Sequence, residues 1–74
     1  MEIPNSSLSF NDFIEYQDLE DSLKQSSSFE QTEVLNSYST VGLEEKWFKN
    51  ISNGESWRLV RPDPPFKGIW QRVV

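Results

Sequence analysis

The sequence has no cysteine and no histidine. Disulfides are therefore excluded, and so are the thiolate and imidazole ligands that usually hold zinc. Nucleophilic catalysis by a Cys–His or Ser–His arrangement is excluded for the same reason. Carboxylate oxygens leave a Ca²⁺ or Mg²⁺ site chemically open, but no Asp/Asn run matches a calcium loop, so neither a metal nor a cofactor is expected. Three scattered glycines (Gly42, Gly54, Gly68) do not make a phosphate-cradling loop. No apolar run approaches the ~18–20 residues of a membrane span. Met1-Glu2-Ile3-Pro4-Asn5 lacks the basic start and apolar stretch of a signal peptide. The chain is accordingly expected in the cytoplasm, where the sequons at Asn5 and Asn50 are chance matches.

What is present is a charge split and a rich aromatic supply. Residues 1–45 hold ten carboxylates and one base, Lys24, for a net of −9. Residues 46–74 hold two carboxylates and six bases, for a net of +4. The second part also contains every tryptophan: Trp47, Trp57 and Trp70. Charge asymmetry of this kind points to a partner, either internal or external. Seventy-four residues make one domain at most, and such a chain buries only about 60% of the surface its unfolded form exposes. Without disulfides, stability falls to burial of Phe, Tyr and Trp, each covering roughly 150–250 Å².

Local patterns place the elements. Residues 1–8 are polar, contain Pro4 and are expected to be flexible; residues 9–74 form the single small domain. Ser9 with Asp12 reads as a capping box, and Phe10, Phe13, Ile14, Tyr16, Leu19 and Leu23 recur at helical spacing. A helix over about 10–24 follows, with Glu15, Asp18, Glu20 and Asp21 on its outer face and Lys24 in its last turn. Ser26-Ser27-Ser28 breaks it, as a linker and cap that could also accept phosphate. Residues 29–36 favour a short second helix; a strand through Glu33–Val41 is the alternative reading, and 37–41 stays open between the two.

The strongest local signal is a hairpin over about 45–61, turning at Asn53-Gly54. A two-residue loop would oppose Lys49 to Arg58. A three-residue Ser52-Asn53-Gly54 loop instead opposes Trp47 to Leu59, Lys49 to Trp57 and Glu45 to Arg61. That register puts Trp47, Trp57 and Leu59 on one face and lays Lys49 over an indole. Pro62-Asp63-Pro64-Pro65 must end the second strand, and its spacing with Lys67 also matches a polyproline ligand, although a rigid surface turn is the preferred reading. A third strand is expected at about 68–74.

The fold class is therefore α+β: an N-terminal amphipathic helix packed on a two- or three-stranded antiparallel sheet. Exposed carboxylates on a helix face solvate that face, so no general base stands out and the chain is not expected to be an enzyme. The expected role is a protein-interaction module, a small adaptor or accessory subunit, acting as a monomer or weak homo-oligomer. Candidate contacts are the exposed members of Trp47, Phe48, Trp57, Arg58, Arg61, Phe66, Lys67 and Trp70, because Trp and Arg dominate binding hot spots; core is the preferred reading of the Trp residues themselves. Single-stranded nucleic acid is the alternative ligand for the same aromatic, basic face, though the net charge of −5 disfavours it.

The stretch Glu55-Ser56-Trp57-Arg58-Leu59-Val60-Arg61-Pro62-Asp63-Pro64-Pro65-Phe66-Lys67-Gly68-Ile69-Trp70 resembles the tail of small uncharacterised cyanobacterial proteins. The resemblance covers about a quarter of the chain. It implies a small accessory protein of a photosynthetic cell and assigns no functional residues.

Overall fold

The computed structural model describes residues 3–38 and 42–73. In chain order these form α1 (Phe13–Gln25), β1 (Phe29–Thr32), β2 (Glu45–Asn50), β3 (Ser56–Val60) and β4 (Ile69–Val73). The strands make one antiparallel sheet in the order β1-β2-β3-β4. The α+β class holds, with four strands instead of the two or three expected.

The helix begins three residues later than its first capping signal suggested. Asp12, not Ser9, is the N-cap, and its Oδ1 accepts the Glu15 backbone N–H at 2.9 Å. Glu15 reaches back to the Asn11 N–H at 2.7 Å. One orphan donor of the first turn, the Glu15 N–H, is thereby satisfied, and the residue before the cap is held to the helix as well. Tyr16, Leu19 and Leu23 face inward and are buried. Phe10 is buried as well, from the chain before the helix. Phe13 and Ile14, read as part of the apolar stripe, remain on the surface, Ile14 at 68% exposure.

The next element corrects a sequence expectation. Phe29–Thr32 is a strand paired with β2, and the expected short helix over 29–36 does not form. Pairing places Phe29 in the apolar cluster, 6.2 Å from Trp70 ring to ring. An isolated helical turn would bury nothing comparable, so tertiary packing overrides local propensity. The alternative strand through Glu33–Val41 is not formed over 33–38, and its remainder at 39–41 lies outside the described residues.

The hairpin exists, but its register differs by one residue from the expected pairing. Trp47 opposes Arg58, Phe48 opposes Trp57, and Lys46 opposes Leu59. The loop is closed by Asn50 N–H to the Glu55 carbonyl and Gly54 N–H to the Asn50 carbonyl, both 2.8 Å. The Asn50 and Asn53 side chains each accept a backbone N–H two residues on, at 2.9 Å. Asn at these positions therefore stabilises a longer turn than Asn-Gly alone implies. The slip sends Trp47 to the face opposite Trp57 and Leu59. Lys49 consequently does not lie over an indole, and Glu45 pairs with Arg58 instead of Arg61.

Both faces of the sheet are covered. Under α1 lies a cluster of Phe10, Tyr16, Leu19, Leu23, Phe48, Trp57, Leu59 and Trp70. On the opposite face Trp47 and Val60 are buried beside Arg58, whose guanidinium sits 5.5 Å from the Trp47 ring and 5.6 Å from the Tyr38 ring. Tyr38 itself packs on Phe66 and donates its backbone N–H to Glu45 at 2.7 Å. Tyr38, from the chain after β1, thus lies over this second face.

The segment before the helix adds to the far edge. Leu8 and Trp70 exchange backbone hydrogen bonds of 3.0 and 2.9 Å, and the Trp70 indole N–H donates to the Pro4 carbonyl at 3.0 Å. Part of the stretch expected to be flexible is therefore held against β4. After β3, Asp63 and Phe66 exchange backbone bonds of 3.0 and 2.9 Å, closing a tight turn. A segment bonded to itself in this way is a turn and not an extended polyproline ligand. Its Pro64–Pro65 peptide is cis.

Gly68 has φ of +82°, and a Cβ there would stand 2.9 Å from Phe10, Pro62 and the Val60 carbonyl oxygen. Gly54 has φ of +75° but open space around it. Gly54→Ala should therefore cost about 1 kcal/mol through backbone strain alone. Gly68→Ala should cost about 1–3 kcal/mol beyond that, because overpacking adds to the strain. Urea unfolding of the two variants measures the difference.

Candidate functional site

Burial decides which predicted contacts can meet a partner. Trp47, Trp57 and Trp70 are 4%, 5% and 0% exposed, and Phe48 is equally enclosed. These four are core residues, so the expected aromatic face does not exist as a surface. Arg58 is largely covered too, held between two rings with its Nε 3.4 Å from Glu45 Oε2. The Trp47 indole N–H donates to the same carboxylate oxygen at 2.6 Å. Of the eight candidates named from sequence, Arg61 and Lys67 are exposed and Phe66 is half-buried.

These three lie around a concavity of the surface. Two adjoining grooves, about 480 and 280 Å³, share Phe13, Pro62 and Pro64. The larger also takes in Leu43, Glu44 and Arg61, and the smaller Phe10, Phe66 and Lys67. Helix capping at Asp12 brings Phe13 to the first turn of α1, at the groove wall. The Asp63–Phe66 turn supplies the opposite wall and holds its prolines outward. Gly68 permits the close approach of Pro62 to Phe10 that joins the two walls. Arg61 lies over the Phe13 ring at 5.1 Å and stands 3.9 Å from Glu44. This pair is half-exposed, and such surface pairs contribute little to stability. Arg61 is therefore free to exchange Glu44 for a partner's acceptor at small cost.

Phe13, Pro62, Pro64 and Leu43 were not named from sequence. From sequence, Phe13 joins the apolar stripe by its helical spacing with Phe10 and Ile14, in a helix that starts at Ser9. The Asp12-x-x-Glu15 spacing is an equally good capping box, and it would have moved the helix start onto Phe13. The proline segment reads from sequence as a rigid surface turn, which gives no hint of the helix residue that faces it.

A second polar cluster joins α1 to β2. Glu20, read from sequence as part of the outer helix face, is buried and paired with Lys46. The Tyr16 hydroxyl donates to Glu20 at 3.2 Å and lies 3.4 Å from Glu44 Oε2. Gln17 donates to Glu20 at 3.1 Å, and Lys24 stands 3.9 Å away. Burial together with the Glu20 and Glu44 charges pushes the Tyr16 hydroxyl far above the ordinary phenol range, so it stays a proton donor. Burial pushes the Glu20 carboxyl upward. The Lys46 hydrogen bond and charge, helped by Lys24 and Tyr16, outweigh it and hold Glu20 below its usual value of 4.5. A charged pair of this kind fixes the helix on the sheet more than it activates either group.

No family model matches the chain, and neither a curated protein nor a solved structure matches it significantly. Among the described residues, no helix is long and apolar enough to cross a membrane.

Because folding lowers the Glu20 pKa, the ionised carboxylate contributes stability above its unfolded value and loses it as pH falls through the folded one. Glu20→Gln should lower stability at pH 7 and flatten the further loss below about pH 4.5. Urea midpoints of parent and variant at pH 7 and at pH 3.5 test this; parallel losses on acidification would refute it.

Proposed function

We propose that this chain is a non-enzymatic protein-interaction module, a small adaptor or accessory subunit that grips another protein at the groove between the start of α1 and the proline turn. One observation carries the reading. Phe13, Pro62 and Pro64 line both of two adjoining grooves, with Arg61 beside them in the larger and Lys67 in the smaller. An apolar centre with a charged rim is the common anatomy of protein interfaces. Phe13 and Ile14 are exposed on the adjoining helix turn and extend the apolar area. The turn is already ordered by its own hydrogen bonds, so little conformational freedom is lost when a partner docks.

The resemblance of residues 55–70 to small cyanobacterial proteins supports an accessory role in the cytoplasm of a photosynthetic cell. Base stacking loses its support, because all three indoles are buried and the net charge is −5.

The test is affinity capture from source cells with the parent chain and with a Phe13→Ala, Lys67→Glu double variant. Both substitutions sit on the surface and should leave the melting temperature close to that of the parent. The parent should retain one dominant protein that the double variant loses. An identical set of captured proteins would remove this groove as the contact. Trp57→Ala is unsuitable as a probe, because it would remove a core residue and unfold the domain.

A further inference from the structure

The sheet has two edges, and the chain treats them differently. The ladder can be followed from bond to bond. Ile51 N–H donates to the Ser28 carbonyl, Asn50 N–H to Glu55, and Arg61 N–H to Glu44. Alternation along antiparallel strands then turns Glu30 and Thr32 inward to Lys49 and Trp47. The backbone N–H and C=O groups of Phe29 and Gln31 consequently point away from the sheet. On the far edge the same logic turns the groups of Trp70 outward, and there Leu8 takes both of them. The chain thus caps the β4 edge at Trp70 with Leu8 of its own N-terminal segment. Among the described residues, β1 has a neighbour on one side only.

Charge states what can cover it. Glu30 lies in β1 and Glu33 directly follows it, both exposed. On α1, which leads into this strand, Asp18 and Asp21 are exposed and make no ion pair among the described residues. The one cation in register with the strand is Lys49, opposite Glu30. The remaining cations nearby are engaged: Lys24 and Lys46 with Glu20. A second copy of this chain is a poor occupant. Opposing the outward groups of Phe29 and Gln31 in two antiparallel copies sets Glu30 against Glu30, with a net charge of −5 on each molecule.

We propose that the open edge of β1 accepts an extended, lysine- or arginine-bearing segment of another protein as an added strand. The backbone groups of Phe29 and Gln31 would pair with that segment, and Glu30 and Glu33 would select its charge. The same carboxylates that keep two copies apart admit a cationic strand. This surface is distinct from the proline groove, and the inference does not rest on that groove.

The probe is a short fluorescent peptide of alternating lysine and threonine, titrated into the full chain. Two controls carry glutamate in place of lysine, or methyl groups on the backbone nitrogens that would face β1. Gln31→Pro removes the outward N–H and leaves the ladder to β2 intact, since an edge strand tolerates proline at that position. The expected result is saturable binding that weakens with salt. Binding should fall about fivefold in Gln31→Pro, the loss of one hydrogen bond. It should vanish for the methylated and acidic peptides and weaken on Glu30→Lys with Glu33→Lys. Should Gln31→Pro fail to fold, the methylated peptide reads the same pairing from the partner's side. The inference is overturned by no saturable binding, by equal binding of the methylated or acidic peptide, or by a folded Gln31→Pro chain that binds like the parent. Sedimentation of the parent as a dimer that Gln31→Pro dissociates would also overturn it, by assigning the edge to a second copy.

Discussion

Trp57 and Trp70 lie in parallel on neighbouring strands, ring centroids 4.9 Å apart and planes 12° from each other. Around this stack the rest of the molecule is arranged. Trp70 has no exposed surface, and its ring meets Phe29 on the strand at the opposite edge of the sheet. Strands three spacings apart stand ~14 Å from each other in a flat sheet, so this contact requires the sheet to curl. The curled face receives Leu19 and Leu23 from α1 and Phe10 from the chain before it. The indole N–H, which burial would otherwise leave unsatisfied, draws in Pro4. One side chain thereby ties together the N-terminal segment, the first strand and the last.

The division of charge along the chain is mostly resolved inside the fold. Lys24 and Lys46 meet Glu20, Lys46 and Arg61 meet Glu44, Arg58 meets Glu45, and Arg72 meets Glu55. Apolar burial remains the larger stabilising contribution, because exposed pairs add little. The buried Glu20–Lys46 pair differs in kind. An unpaired Glu20 would be costly at that position, so the pair selects one way of seating the helix on the sheet. Once the cations are matched, the surface that faces outward from α1 and β1 is acidic, through Asp18, Asp21, Glu30 and Glu33. The surface beside the proline turn keeps Lys67 and a weakly held Arg61.

Much of the architecture was legible in short-range chemistry. Leu19, Leu23 and Tyr16 at helical spacing marked the helix, Asn53-Gly54 marked the hairpin, and Ile69–Val73 was visible as a strand. The proline segment was rightly placed as a surface turn. The candidate site was legible only in part. Arg61, Phe66 and Lys67 were named and are accessible, while the three tryptophans and Phe48, contacts only if exposed, belong to the core. A hot-spot residue and a core residue have the same composition, and only the position of the covering elements separates them. The hairpin register failed for a related reason. Pairing Trp47 with Leu59 assumes a sheet with one buried face. With Tyr38 and Arg58 lying over the second face, Trp47 can be buried opposite Trp57, and the alternation argument loses its discriminating power.

By itself the sequence determined the kind of molecule. The absence of cysteine and histidine, the aromatic supply and the local caps and turns leave a single small α+β domain stabilised by ring burial. Those features act over a few residues or over the composition as a whole, so they can be read without coordinates. Only the tertiary structure decided which rings are enclosed, which carboxylate is buried with a lysine, and that β1 has a neighbour on one side only among the described residues. Each of these depends on contacts between residues far apart in the chain: Phe29 with Trp70, Glu20 with Lys46, Leu8 with Trp70, Phe13 with Arg61. No local pattern encodes such pairings, because they become favourable only when the whole apolar layer forms together.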